Sequence, residues 1–185
     1  MSIMHDTPLS VIIRQATVAD ASSIAEIHIR SWQWAYRGLI PDDYLDHLSA
    51  MLNTRAEEHR VQLARNVPQR RWWVIEEASR IVGFAITGPS NDPDVPPTTA
   101  MIYALYLAPD RAGKGVGRSL FAHAVAGLQR RAYTQATLWV LENNLRARRF
   151  YEAAGWTPDG ARKTEEMPGA QLHEVRYHII LQRDS

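Results

Sequence analysis

Along the chain, short apolar blocks of strand character alternate with longer stretches whose apolar residues return every third or fourth position. L-S-V-I-I-R-Q (9–15) predicts a first strand. Thr17-x-x-Asp20 then has the form of a capping box, so a helix is expected through Trp34, with Gly38 and Pro41 breaking it. A short helix is expected over 42–49 and a further one, polar on most of its surface, over 53–65. R-W-W-V-I-E-E (71–77) and I-V-G-F-A-I-T (81–87) predict two strands joined as a hairpin at 78–80. The proline- and acid-rich stretch 90–99 reads as a loop. The pattern ends with a strand at 100–107, a helix at 115–130, a strand at 136–142, a helix at 144–154, and strands at 161–167 and 172–181. In the helix at 115–130, Val116, Leu120, Ala124 and Leu128 make one apolar row with Phe121 and Val125 beside it, which leaves His123 at the surface.

Between the strand at 100–107 and the helix that follows lies A-P-D-R-A-G-K-G-V-G-R-S. Gly113, Gly115 and Gly117 remove Cβ atoms from a strand-to-helix turn, so backbone N–H groups can approach a ligand closely. Those amides, the positive helix end, Lys114 and Arg118 together suit a phosphate or pyrophosphate. Two familiar phosphate loops fail on spacing. A P-loop would need a glycine at Ala108 and a hydroxyl at Gly115, and a dinucleotide fingerprint would need a glycine at Arg118. Ser119 lacks the G-x-S-x-G elbow of a serine hydrolase.

About 30 residues on, E-N-N-L-R-A-R-R-F-Y-E-A-A-G-W (142–156) forms a second motif. Asn143 or Asn144 can cap a helix in which Ala147, Phe150, Tyr151 and Ala154 share one face, and Gly155 is a natural stop. The pattern N-x-x-A-x-x-F-Y-x-x-x-G-W, preceded by the glycine loop, resembles the GNAT superfamily of acetyl-CoA-dependent N-acetyltransferases, most strongly over 71–182. The resemblance implies an α/β (α+β) fold: a mixed, mostly antiparallel twisted sheet of about seven strands flanked by helices on both faces. It also implies a single N-acetyltransferase domain over 1–185, with an ordered core at 9–182, acceptor-side helices within 15–70 and acetyl-CoA-binding motifs within 100–156.

By the same resemblance, acetyl-CoA is the cosubstrate and the acetyl group passes directly to an amine. The backbone of Leu105, Tyr106 and Leu107 would pair with the pantetheine arm. The amides of Gly113, Lys114, Gly115, Val116, Gly117, Arg118 and Ser119 would hold the pyrophosphate. Asn144 would bond the pantetheine, Ala147 would lie against the cofactor, and Arg148 or Arg149 would meet the nucleotide phosphates. Tyr151 would both border the cofactor and act as the catalytic acid toward the departing thiolate. An ammonium of pKa ~10.4 must first lose a proton, at roughly 4–5 kcal/mol at pH 7. That base is open among Glu142, Glu76, His28, His173 and a water chain, because Met101 occupies the place where many relatives carry a glutamate. Ala112, with Arg111 beside it, replaces the Gln or Arg usual before the glycines. His28, Trp32 and Tyr36, at i, i+4 and i+8, resemble the H-x-x-x-W-x-x-x-Y of a bacterial subset and, with Tyr103, are expected to face the acceptor.

Composition narrows the field further. A net charge of +1 from 21 basic and 20 acidic residues gives no bulk attraction to nucleic acid or membrane. The chain has no cysteine, which removes disulfides, thiolate metal sites and a cysteine nucleophile. The seven histidines lack a helical zinc spacing, so no metal is expected. Neither a leader nor a long apolar span is recognisable, which makes a cytoplasmic protein the expectation, and a homodimer is allowed for among its partners. The resemblance implies an acceptor that is a small-molecule amine or, alternatively, a peptide or protein N-terminus. A non-catalytic acetyl-CoA sensor is the reading from another class.

Overall fold

The computed structural model describes residues 11–181, so positions 9 and 10 of the expected first strand, and 182 of the expected core, lie outside the described residues. Seven strands form one sheet in the order β1-β2-β3-β4-β5-β7-β6. They are β1 (Val11–Gln15), β2 (Arg71–Glu77), β3 (Arg80–Pro89), β4 (Thr99–Leu107), β5 (Gln135–Leu141), β6 (Thr157–Met167) and β7 (Ala170–Ile180). Every neighbouring pair is antiparallel except β4 and β5. The sheet is therefore mixed and mostly antiparallel, as the resemblance implies.

Helices cover both faces. On one lie α1 (Ala21–Ala35), α2 (Asp42–His47) and α3 (Leu52–Ala64); on the other lie α4 (Val116–Gln129) and α5 (Leu145–Ala153). Strand alternation divides the core accordingly. Trp72, Val74, Phe84 and Tyr106 pack with Ile24 and Ile27 of α1, whereas Ile75, Ala85, Leu105 and Leu107 pack with Val116, Leu120 and Ala124 of α4. In β5, Leu138 and Val140 join Phe121, Phe150 and Tyr151, while Leu141 joins Trp32 and Tyr36. Because both faces are covered, these strands carry near-continuous apolar runs.

Local chemistry sets the boundaries. The Thr17 N–H donates to Asp20 Oδ2 at 2.6 Å, and this box opens a 3-10 turn that runs into α1. The short helix expected over 42–49 is α2 followed by a 3-10 segment at Leu48–Met51. β6 begins four residues before its expected start. Thr157 and Pro158 pair with His178 and Tyr177 across a register shift, and T-P-D-G, a turn by composition, is carried within the strand. His123 is not a free surface residue: its ring meets Trp73 edge-on at 4.7 Å, and its Nε2 is buried.

Candidate active site

The sheet parts between β4 and β5. Thr99, Ala100 and Met101 pair with Gln135, Ala136 and Thr137, and the ladder stops there. Beyond it Leu105, Tyr106 and Leu107 pair only with β3, opposite Ala85, Phe84 and Gly83, so their other backbone edge borders the gap. β5 continues with β7 alone. The gap opens into one cleft of about 830 Å³ that reaches from Ala112, Gly117, Ala147 and Phe150 on one face to Trp32, Tyr36, Lys163 and Glu174 on the other.

The bank nearer α4 is made of backbone. Gly113 and Gly115 have φ of +77° and +81°, the left-handed region that glycine enters without a Cβ penalty. Gly117 has a different reason: a Cβ there would lie 2.6 Å from Leu107 Cδ1, at the edge of the gap. The first helical bond runs from the Ser119 N–H to the Gly115 carbonyl at 3.1 Å, so the amides of Val116, Gly117 and Arg118 precede the ladder at the positive end of α4. Lys114 and Arg118 are exposed beside them. Arg111 pins the loop to the sheet through Glu77, Nε to Oε2 2.5 Å. An anionic pyrophosphate fits this donor set, and a strand-like arm fits the unpaired edge of β4.

Asn144 caps α5, its Oδ1 accepting the Ala147 N–H at 3.1 Å, which leaves its amide nitrogen as the donor end. Phe150 and Tyr151 follow one turn later and pack on Phe121, ring centroids 5.4 and 5.6 Å away. Gly155, φ +84°, lets the chain turn so that the Trp156 N–H reaches the Tyr151 carbonyl at 3.0 Å. Burial, with the Tyr106 hydroxyl adding to it, holds the Tyr151 hydroxyl well above the ordinary tyrosine range. It is a neutral O–H on the cleft wall.

The opposite bank is made of side chains. Trp32 and Tyr36 meet edge-to-face at 5.0 Å and both line the cleft. The Tyr36 hydroxyl interacts with that of Tyr106, and burial raises the pKa of both. Trp32 Nε1 is buried without an aligned hydrogen bond. Tyr103 is the extra residue of a bulge in β4, since Ala104 pairs with Ile86 and Ile102 with Thr87. Its hydroxyl reaches the Pro89 carbonyl and Asn91 Oδ1, and the Arg70 guanidinium lies 4.5 Å from its ring centre. Trp139, Lys163, Glu165 and Glu174 complete this wall.

Residues 24–156 match the Acetyltransferase (GNAT) family. The chain belongs to this family. It is 30% identical over 166 residues to YuaI, an uncharacterized N-acetyltransferase of Bacillus subtilis, covering 89% of this chain and 90% of that one. It is 20% identical over 176 residues to the spermidine N(1)-acetyltransferase of Thermoplasma acidophilum, covering 91% and 99%. Among solved structures it resembles the PaiA N-acetyltransferase of Thermoplasma acidophilum in complex with coenzyme A, with a TM-score of 0.69 at 19% identity over 93% of this chain and 99% of that one. The protein is a GNAT N-acetyltransferase and acetyl-CoA is its cosubstrate.

Within this GNAT cleft lie Leu105, Tyr106, Leu107, Gly117, Asn144, Ala147 and Tyr151, together with Trp32, Tyr36 and Tyr103. Other expected site residues stand apart from it. His28 lies behind the wall, stacked on Tyr106 at 5.0 Å, with Nδ1 3.3 Å from His59 Nε2. Burial, then Arg55 and His59, pushes the His28 imidazole down to about 3. Arg148 is held by the Tyr177 hydroxyl at 3.0 Å and the Glu142 carbonyl at 2.9 Å, and Arg146 reaches the cleft instead, stacked 3.9 Å over Trp34. Glu142 pairs with Arg162 at 2.5 Å, Glu76 with Arg14, and His173 with Thr164 at 3.1 Å. The carboxylates on the wall are Glu165 and Glu174, neither of which stood out in the sequence. The signal was there: Val175 and Tyr177 face the α5 side, so alternation turns Glu174 the other way, toward Tyr36.

Proposed function

We propose that this GNAT protein transfers the acetyl group of acetyl-CoA directly to a primary amine of a small molecule. The observation that carries the reading is the single cleft through the sheet, which joins a phosphate-suited backbone cradle to an aromatic, carboxylate-bearing wall. A relative named for spermidine acetylation supports a small amine within the family.

Bound in the cleft, acetyl-CoA supplies an acetyl group already activated as a thioester. The loop amides, Lys114 and Arg118 hold its pyrophosphate, and the free edge of β4 and the Asn144 amide hold its arm. Trp32, Tyr36 and Tyr106 exclude bulk water from the far side, which strengthens every polar contact within. As the new C–N bond forms and the C–S bond breaks, the Tyr151 O–H donates to the departing sulfur, and a proton passed to the sulfur is returned to the tyrosine from the amine through cleft water. The raised pKa keeps that O–H neutral as a hydrogen-bond donor to the sulfur as charge develops there, and makes a lasting tyrosinate unfavourable. We assign the amine proton to water in the cleft, because Glu142, Glu76 and His173 are engaged off its wall. With no cysteine in the chain, no thiol nucleophile competes with the amine.

Release of the coenzyme A thiol, followed over a panel of polyamines, aminoglycosides, amino acids and short peptides with free N-termini, tests this. Turnover concentrated on small amines is expected. Turnover confined to peptides would overturn the acceptor class, and none on any amine despite acetyl-CoA binding would leave the sensor reading.

A further inference from the structure

On the acceptor wall the Lys163 ammonium stands 2.7 Å from Glu165 Oε1, 2.9 Å from Glu174 Oε2 and 4.8 Å over the Trp139 ring. Two carboxylates and an indole face are a complete coordination set for an alkylammonium, and one is already in it. We propose that this cage is the distal cation subsite of the acceptor, that Lys163 fills it in the resting protein, and that the second ammonium of a diamine or polyamine displaces Lys163. This deepens the small-amine reading and rests on it for the direction from which the acceptor arrives.

Four observations support it. All four cage residues line the cleft, so the cage opens onto the space that the acceptor must enter. The cage is rigid on its aromatic side: Trp139 Nε1 donates to Asp92 Oδ1 at 3.1 Å, and Arg176 packs 5.4 Å from its ring. Arg176 is itself saturated by Asp92, Asp94 and Asp159, so it adds no free positive charge. Lys163, by contrast, is partly exposed on β6, the edge strand, and its long flexible stem can swing into solvent. When it leaves, two carboxylates remain, and the buried Glu174 Oε2 that it faces at 2.9 Å loses its cation.

Position sets the length of the ligand. Glu174 pairs with Leu141 of β5, the strand bordering the gap, and with Lys163 on its other side. The cage is therefore one to two strand spacings from the gap, ~5–10 Å, the reach of a chain of a few methylenes. An amine of this kind places one nitrogen at the gap and the other in the cage. A monoamine must choose between them.

Calorimetric titration of 1,4-diaminobutane, with 1,4-butanediol as the uncharged control, tests the cage without any turnover. Lys163→Ala is expected to bind the diamine at least about tenfold more tightly than the parent protein, and Glu174→Gln added to it to reverse the gain. The diol is expected to show no difference. In turnover, Lys163→Ala should lower KM for the diamine with kcat little changed, and the parent protein should favour the diamine over butylamine. Should Lys163→Ala melt far below the parent, Lys163→Gln, which keeps the stem over Trp139, carries the same titration. Diamine binding unchanged or weakened by loss of Lys163, or indifferent to Glu174, would overturn the cage while leaving acetyl transfer to amines standing. No turnover on any amine would overturn the small-amine reading, and the titration would still decide the cage.

Discussion

The two banks of the cleft are built by opposite means. The bank proposed for the cofactor is backbone: two left-handed glycines, a third glycine under Leu107, three amides at the start of α4 and an unpaired strand edge. The bank proposed for the acceptor is side chain, drawn from α1, β4, β5, β6 and β7, and its parts are held by one another. A backbone cradle suits a ligand whose charge and shape never change. A wall of rings and carboxylates can be rebuilt by point substitution, which is how one fold serves many acceptors. Changes on the first bank should therefore act on cofactor binding and chemistry, and changes on the second on acceptor choice.

Tyr151, where the two banks meet, should give the largest effect. Tyr151→Phe keeps the ring that packs on Phe121 and Phe150 and removes only the hydroxyl. Steady-state kinetics should show kcat falling roughly 10²–10³-fold, with coenzyme A affinity within a factor of two or so of the parent. A kcat within about threefold of the parent would remove Tyr151 from the chemistry.

Gly117 and Gly113 separate space from backbone angle on the cofactor bank. Gly117→Val drives a side chain into Leu107 and should cost ~1–3 kcal/mol of stability, together with most of the coenzyme A affinity. Gly113→Ala meets nothing within 4 Å, so only its positive φ is penalised, by ~1–2 kcal/mol. Melting curves and calorimetry on the two variants read the difference. Equal losses of affinity would mean that Leu107 does not shape the cradle.

Behind the acceptor bank, the buried His28–His59 pair makes that side sensitive to acid. Burial pushes His28 down to about 3 and His59 down to about 4; Arg55 acts in the same direction on both, and Glu58 partly opposes it at His59. Unfolded imidazoles titrate near 6.5. Below that pH the unfolded chain takes up protons that the folded pair refuses, so stability is full above about 6.5 and is lost as pH falls toward 4 and then 3. The slope is at most about 1.4 kcal/mol per pH unit for each proton. Melting temperature against pH measures it, and His28→Phe should flatten the curve. A parent protein equally stable at pH 7 and pH 4.5 would contradict the neutral pair.

How far the sequence could be read follows the same division. The glycine loop and the Asn144-to-Trp156 helix are contiguous, and their chemistry depends on local angle and helical phase, so both motifs were legible as they stand. The acceptor bank is assembled by tertiary contacts. Helical spacing correctly grouped Trp32 with Tyr36 but could not show that His28, on the same face, ends one layer deeper against Tyr106. Arg146 and Arg148 share the polar side of α5, and only packing decides which one turns to Trp34 and which to Tyr177. Lys163 and Glu165 fall inside the strand expected at 161–167, but only the tertiary contacts of Lys163 with Glu174 and Trp139 bring them to the wall.

Asn144 should give the smallest effect and is the finest probe of the division, because on the proposed reading one side chain serves both structure and cofactor. Its oxygen caps α5 and its nitrogen is the donor left for the cofactor arm. Asn144→Ala removes both and should cost about 1 kcal/mol of stability along with some coenzyme A affinity. Asn144→Asp keeps an oxygen for the Ala147 N–H, and its charge is favourable at a helix N-terminus, so it should melt close to the parent. It has no N–H to offer and sets a carboxylate beside an anionic ligand, so coenzyme A should bind it several-fold more weakly than the parent, about 1 kcal/mol. If the two variants lose affinity in proportion to stability, Asn144 acts on the cofactor only by fixing the helix. If Asn144→Asp loses affinity while keeping its melting temperature, the side chain itself contributes to a bank that is otherwise backbone.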